Sequence, residues 1–162
     1  KEKLRTLTIM SAVANRTEEQ RTAILSRVEE VRKSGPSSTI EPAIRRWFNK
    51  EFLETEEEMV NQVRARLQTN NPSSYLAAYA LFATADKDLW PQLQNIKLPT
   101  FIITGEYDSG SSPEMAMEMH KQIENSVVMI VPNMKHMLPV EGAAITNEAI
   151  RLFIKKQAVP AK

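Results

Sequence analysis

The later part of the chain alternates strand-like and helix-like segments, and this alternation restricts the fold more than any other feature. Residues 100–104 (TFIIT) form a largely β-branched run closed by Gly105, and residues 127–131 (VVMIV) form a second apolar run. Runs of this kind are typical of strands covered on both faces of a sheet. A helix that starts at Pro113 separates them, and another follows from residue 143. Strand, helix, strand, helix predicts a parallel sheet with right-handed crossovers.

A strand and a helix are also expected at the beginning of the chain. Residues 4–13 are apolar and threonine-rich without helical periodicity, which predicts a buried strand. Thr17, with Gln20 three positions later, gives the capping-box pattern that satisfies the first amides of a helix. Apolar positions then recur at helical intervals until Gly35, so the helix should cover residues 18–34.

More helices should follow the first one before the alternation begins. An aromatic stripe that includes Trp47 predicts a brief helix starting near Pro42. Thr55 and Glu58 repeat the capping-box pattern, which predicts a further helix start. Residues 74–84 are apolar nearly all round, as in a helix that is buried on several sides. The predicted fold class is therefore α/β, with a helical block at about residues 16–93.

The overall composition limits the partners and the compartment. The 21 basic and 20 acidic side chains give a net charge of +1, which disfavours a nucleic-acid partner. No apolar run has the roughly 20 residues that a membrane span needs, so no membrane partner is expected. The chain has no cysteine, which excludes thiolate metal sites and a cysteine nucleophile and fits a reducing, cytoplasmic location.

Two polar loops should meet at one edge of the predicted sheet. Asp108 lies four residues after the end of the first apolar run, and His136 lies five residues after the end of the second. The carboxyl ends of parallel strands lie on the same rim, where loops carry reactive groups. An aspartate beside a histidine fixes the imidazole tautomer and stabilises its cation, as an acid and a base that support a nucleophile do.

The chain resembles the closing part of an α/β-hydrolase-fold protein. The resemblance lies in residues 98–154, LPTFIITGEYDSGSSPEMAMEMHKQIENSVVMIVPNMKHMLPVEGAAITNEAIRLFI, and in AIRRWFNKEF at residues 43–52, which is similar to the cap of enol-lactonase-like and esterase-like members. It implies part of a doubly wound, mostly parallel sheet with an inserted helical cap. It also implies a Ser-His-Asp hydrolase in which Asp108 is the orienting acid and His136 the base. No metal or organic cofactor is implied.

One part of that pattern is absent from this sequence. The family carries its nucleophile in a Gly-x-Ser-x-Gly elbow that precedes the acid and the base, and no such motif occurs here. We interpret Ser109, Ser111 and Ser112 as loop and helix-start residues. The chain is therefore expected to be a carboxyl-terminal half, with residues 1–15 as a core strand, 16–93 as the cap and 94–162 as the end of the core.

The remaining expectations concern the substrate and the partners. Trp47 is predicted to face a small ester or lactone substrate, whereas His120 is expected to be a partly solvated helix residue. The amino-terminal half, with the nucleophile, would be a separate chain or a missing segment that pairs with the edge of the strand at residues 4–13, unless that edge self-associates. Two alternatives stay open: an inert fragment or subunit that functions only with a partner chain, and a haloperoxidase-like or other non-hydrolytic activity.

Overall fold

The computed structural model describes residues 4–158 and divides the chain into two compact units. The sheet unit consists of the residues up to Ala14 together with those from Pro91 onward, and the helical unit is Asn15–Trp90. In chain order the elements are β1 (Leu7–Met10), α1 (Glu18–Ser34), a 3-10 turn (Pro36–Thr39), α2 (Ile40–Trp47), α3 (Lys50–Thr55), α4 (Glu57–Gln68), α5 (Pro72–Leu89), a 3-10 turn (Trp90–Asn95), β2 (Thr100–Gly105), α6 (Pro113–Gln122), β3 (Ser126–Val131), α7 (Leu138–Glu141) and α8 (Ala143–Ala158).

The strands form a parallel sheet in the order β1-β2-β3, which confirms the predicted topology. Every residue of the central strand β2 is buried, as its β-branched composition predicts. The first strand is shorter than predicted: only four of residues 4–13 are extended, and the strand ends where Ser11 adopts a left-handed φ of 43°. Three short strands with one common direction therefore put all of their carboxyl ends on one rim.

One hydrophobic core of the sheet unit lies between the sheet and helices α7 and α8. Phe101, Ile103, Val131, Leu138 and Phe153 are its buried members, and the rings of Phe101 and Phe153 stack at 5.4 Å. The apolar pattern predicts an inner face of α8 made of Ile145, Ala149, Leu152 and Phe153. That prediction is partly wrong, because Ile145 and Leu152 are exposed while Thr146 is buried. Thr146 can turn inward because its hydroxyl donates to the Leu138 carbonyl at 3.3 Å.

The helical unit begins with the predicted capping box. The Gln20 amide donates to the Thr17 hydroxyl at 3.2 Å, the Gln20 side chain accepts from the Thr17 amide at 2.9 Å, and α1 covers the predicted residues. The prediction of a second capping box, at Thr55 and Glu58, is wrong. Thr55 is the last residue of α3, and its hydroxyl donates to the Glu51 carbonyl at 3.0 Å, so α4 starts without a side-chain cap.

Helix α5 is less buried than its apolar sequence predicts. Ala83 packs with Ile24 and Val28 of α1, but Leu81 is 67% exposed. One face of α5 thus carries the helix packing, and the prediction of burial on several sides is wrong. No helix within residues 4–158 has the length and the apolar character that a bilayer span requires.

A buried ion pair joins the two ends of the helical unit. The Arg16 guanidinium donates to Asp86 Oδ1 at 2.9 Å, and Arg21 donates to the same oxygen at 3.0 Å. The side chains of Arg16 and Asp86 are 4% and 3% exposed, and the Arg16 guanidinium also lies over the Phe82 ring. Because an unpaired charge at this depth is costly, each partner requires the other.

We predict that Asp86→Asn lowers the free energy of unfolding at pH 7 by about 3–5 kcal/mol, because it leaves a buried guanidinium without its counter-charge. Urea unfolding measures the loss. Glu18→Gln is the control, because Glu18 is 86% exposed and makes a loose surface ion pair with Arg21 at 3.7 Å. This substitution should lower the free energy of unfolding by less than about 1 kcal/mol. Equal effects of the two substitutions would contradict the prediction.

The same pair gives the protein an acid sensitivity of known sign. Burial by itself raises the pKa of Asp86. The Arg16 backbone amide and the Arg16 and Arg21 guanidiniums lower the pKa by more than burial raises it, so the net pKa lies below the ordinary value. An unfolded Asp titrates near 3.9, at about the ordinary value. The contribution of the Asp86 carboxylate to the free energy of unfolding is therefore complete above the unfolded pKa. It is lost as the pH falls through the lower pKa of the folded protein. The stability difference between wild type and Asp86→Asn should shrink over that range.

Candidate active site

The loops that follow β2 and β3 bring Asp108 and His136 into direct contact. The His136 Nδ1 atom lies 2.7 Å from Asp108 Oδ2. The residues are 28 positions apart in the chain and come from neighbouring strands. The contact that the spacing predicts is present, and it forms because two parallel strand ends share one rim.

The Asp108 carboxylate is buried and held by backbone donors. Its Oδ1 atom accepts from the Gly110 amide at 2.9 Å and from the Ser111 amide at 2.8 Å. The residue is 3% exposed, so these bonds are shielded from competing water. With Oδ1 held in this way, Oδ2 is directed at the imidazole.

This arrangement selects one tautomer of His136. An ionised carboxylate can only accept hydrogen bonds, so the Nδ1 atom must carry the proton of the 2.7 Å contact. In the neutral ring Nε2 is then the basic nitrogen. The His136 side chain is 30% exposed while its partner Asp108 is 2% exposed. A buried carboxylate thus orients a partly exposed imidazole.

The His136 loop crosses over the end of β2, and Gly105 makes the crossing possible. A Cβ atom at Gly105 would lie 2.2 Å from the Lys135 carbonyl oxygen and 2.4 Å from that of Met134. Both atoms are backbone, so the loop could not move aside as a flexible side chain can. Glycine at the end of this strand is therefore a steric requirement of the site, which the sequence analysis noted only as the end of a strand.

Two further contacts tie the loops together. The Glu106 carboxylate accepts from the Asn133 amide at 2.9 Å, and the Tyr107 amide donates to the Met134 carbonyl at 2.8 Å. Asn133 has a φ of 58°, which asparagine tolerates better than most residues. The sequence analysis missed these roles, because nothing in the spacing shows which carboxylate binds a backbone amide.

The loop serines have structural contacts. Ser111 donates its amide to Asp108, and its carbonyl accepts from the Thr104 hydroxyl at 2.8 Å. Ser112 caps α6 by accepting from the Met115 amide at 3.4 Å. These contacts agree with the interpretation of this segment as a loop and a helix start.

The second histidine lies at the other end of β3. His120 Nδ1 is 2.9 Å from the Ser126 hydroxyl, and Ser126 is the first residue of that strand. The Ser126 hydroxyl also lies 2.6 Å from the Ile123 carbonyl, so this pair closes the turn between α6 and β3. Within residues 4–158, no group of three or more His, Asp or Glu side chains could hold a metal ion.

Trp47 lines a small cavity inside the helical unit. It is the last residue of α2, and its neighbours in the lining include Thr39, Leu67 and Tyr75. The cavity measures about 10 Å³, which is room for about one water molecule. The substrate-facing role of Trp47 stays a prediction.

Comparison with known proteins identifies relatives over almost the whole chain. The model of the Ndr family matches residues 5–157. A curated relative from Acinetobacter baylyi, (E)-2-((N-methylformamido)methylene)succinate hydrolase, is 26% identical over 149 residues, which are 92% of this chain and 55% of the relative. The chain thus spans about half the length of the curated relatives that it matches.

Solved structures show the same fold. The enol-lactonase from Burkholderia xenovorans LB400 matches with a TM-score of 0.84 at 19% identity, over 94% of this chain and 56% of that one. A thermophilic esterase from Thermogutta terrifontis matches with a TM-score of 0.81 at 23% identity, over 95% and 57%. These neighbours are α/β hydrolases, and the chain has the mixed α/β fold expected of that relationship.

We predict that Gly105→Ala disrupts the rim, because the new methyl group and the backbone of the His136 loop would occupy the same space. The free energy of unfolding should fall by about 3 kcal/mol or more, the upper range for overpacking, and the His136 ring resonances should shift in NMR spectra. Gly110→Ala is the matched control, since its nearest contact is Asp108 Oδ1 at 3.6 Å. A Gly105→Ala variant as stable as this control would contradict the steric argument.

Proposed function

The chain belongs to the Ndr family, and from that premise we propose that it supplies the base and the orienting acid of a serine-dependent hydrolase for a small carboxylic ester or lactone. The observation that carries the proposal is the 2.7 Å contact between Asp108 and His136. A buried carboxylate with two backbone donors, directed at a partly exposed imidazole, is the arrangement that acyl-transfer enzymes use to activate a hydroxyl group.

In the proposed reaction His136 transfers the proton. Its Nε2 atom accepts the hydroxyl proton of the nucleophile as that oxygen attacks the carbonyl carbon, and later returns it to the leaving alkoxide. Asp108 stabilises the imidazolium that forms in between, and it holds the ring so that Nε2 faces the reacting atoms. Water then hydrolyses the acyl intermediate with the same base.

The nucleophile of this proposal comes from outside the present sequence. The chain contains no Gly-x-Ser-x-Gly elbow, and the structure gives Ser111 and Ser112 turn and capping contacts. We propose that an amino-terminal half, on a separate chain or a preceding segment, provides the serine and the oxyanion hole. Without that half the chain by itself would be inert. Because the nucleophile motif is absent, this alternative stays open.

The substrate class rests on the relatives and on the helical unit. One relative is named as a hydrolase of a substituted succinate and one structural neighbour as an enol-lactonase. The enol-lactone belongs to the proposed substrate class, whereas the substituted succinate carries an amide group in place of an ester or lactone. The helical unit presents aromatic side chains, among them Trp47, and apolar walls with few polar groups are the usual lining of a ligand pocket. We propose that Trp47 contacts the substrate.

The activity test compares the two histidines in the natural polypeptide or complex that contains this chain. We predict that His136→Ala lowers kcat/KM for p-nitrophenyl acetate by about 10³-fold or more, on the scale of losses in catalytic triads. His120→Ala is the matched control, because His120 contacts Ser126 at the opposite end of β3, and it should change kcat/KM less than about twofold.

Two outcomes would contradict this proposal. One is hydrolysis that survives His136→Ala. The other is a wild-type assembly that turns over none of a panel of carboxylic esters and lactones. Hydrolysis by the isolated chain would instead disprove the part that assigns the nucleophile to another segment.

The open edge of β1 is where we propose that the amino-terminal half pairs. Within residues 4–158, β1 has β2 on one side and no strand on the other. The Leu7 amide donates to the carbonyl of Pro99, just before β2, and the Ser11 amide donates to Ile103 in β2. The amide of Thr8 has the opposite direction in the alternating pattern, so it points to the open side. Unpaired strand edges attract other strands, and self-association through this edge is expected when the proposed half is absent.

We predict that Thr8→Pro reduces this self-association. Proline removes the outward amide without removing a bond to β2, and edge strands tolerate it. Size-exclusion chromatography with light scattering on the isolated chain should show assemblies for wild type and for the control Thr8→Ala, and mainly monomer for Thr8→Pro. A monodisperse wild-type monomer would contradict the proposed open edge.

A further inference from the structure

Ser11 connects β1 to the loop that carries His136. Its hydroxyl donates to the backbone carbonyl of His136 at 3.0 Å, across 125 positions of the chain. Its amide donates to the Ile103 carbonyl of β2 at 2.9 Å, so the residue is fixed to the sheet at one end and to the loop at the other. Ser11 is partly buried, which shields both bonds.

The backbone at Ser11 is strained. Its φ of 43° lies in the left-handed region, which residues with a Cβ seldom adopt and which favours Gly, Asn and Asp. Strain of this kind is found at functional sites, where the surrounding structure holds the residue in place. The left-handed turn ends β1 at the rim, and there the hydroxyl of Ser11 reaches the carbonyl of His136.

The loop is thereby held by contacts from the ends of two strands, β2 and β1. On the β2 side the Glu106 carboxylate binds the Asn133 amide, and the loop backbone then passes over Gly105. On the β1 side Ser11 binds the carbonyl of His136 itself. This hydrogen bond is made to the residue that bears the imidazole, so it helps to fix the position from which the ring extends.

We propose that Ser11 is a positioning residue, whose hydroxyl holds the His136 backbone so that Nδ1 stays in contact with Asp108. This inference deepens the proposed function and rests on it. Catalytic groups must be held within about 0.5 Å of their productive positions by contacts that support them. Without the hydroxyl, the loop keeps its hydrogen bonds at Asn133 and Met134 and loses the bond from Ser11 to His136, so the imidazole separates from Asp108 more often.

The test uses substitutions that keep the backbone geometry and change only the donor. Ser11→Gly accepts a positive φ and has no hydroxyl. Ser11→Asn also tolerates this conformation, and its amide can donate in place of the hydroxyl. In the isolated chain, the exchange rate of the His136 Nδ1 proton with water, measured by NMR, reports how often the ring leaves Asp108.

We expect Ser11→Gly to accelerate this exchange about fivefold or more, the change in open population that the loss of one hydrogen bond produces. Ser11→Asn should restore most of the wild-type rate, and it should likewise restore the pH profile of kcat/KM in the active assembly. Unchanged exchange in Ser11→Gly, or equal acceleration in both variants, would overturn the role of Ser11. Neither outcome would affect the proposed function, which the His136→Ala assay tests separately. A wild-type chain without a proton on Nδ1 would overturn the proposed function as well.

Discussion

The hydrogen bond between Asp108 and His136 is the interaction on which the functional account depends, and much of the sheet unit serves to make it. Two parallel strands joined by α6 put the two loops on one rim. The amides of Gly110 and Ser111 then fix one carboxylate oxygen, which leaves the other directed at the imidazole. Because the carboxylate is buried and the ring is partly exposed, the pair is protected on the acid side and accessible on the base side.

The bond also places a strict demand on the backbone around it. The His136 loop belongs to β3 but has to cross β2 to reach the end of β1, and it passes so close to β2 that only glycine fits at position 105. The loop is then held at Asn133 and at His136. The His136 loop thus obtains from hydrogen bonds the rigidity that the proposed reaction geometry needs, without a disulfide, since the sequence has no cysteine.

The sequence was sufficient for the topology and for the predicted contact, because both follow from local patterns. The apolar, β-branched runs predict the strands, and the positions of Asp108 and His136 after those runs predict the rim. Coverage on both faces holds for β2, whereas in β3 only Val131 is buried. The errors arose where tertiary contacts decide. Thr55 has the pattern of a cap, yet its hydroxyl bonds within the preceding helix. Leu81 is apolar, yet α5 buries the face of Ala83 instead. The contact of Ser11 with His136 joins residues 125 positions apart, a distance at which spacing gives no signal.

The most direct test of the central claim is the tautomer of neutral His136, which long-range proton–nitrogen NMR correlations of the isolated chain reveal. Free imidazole side chains favour the proton on Nε2. The account predicts that His136 carries it on Nδ1 in the wild type, and that Asp108→Asn weakens or reverses this preference. A wild-type His136 with its proton on Nε2, or one whose tautomer is unchanged by Asp108→Asn, would contradict the assignment of His136 as a base oriented by Asp108.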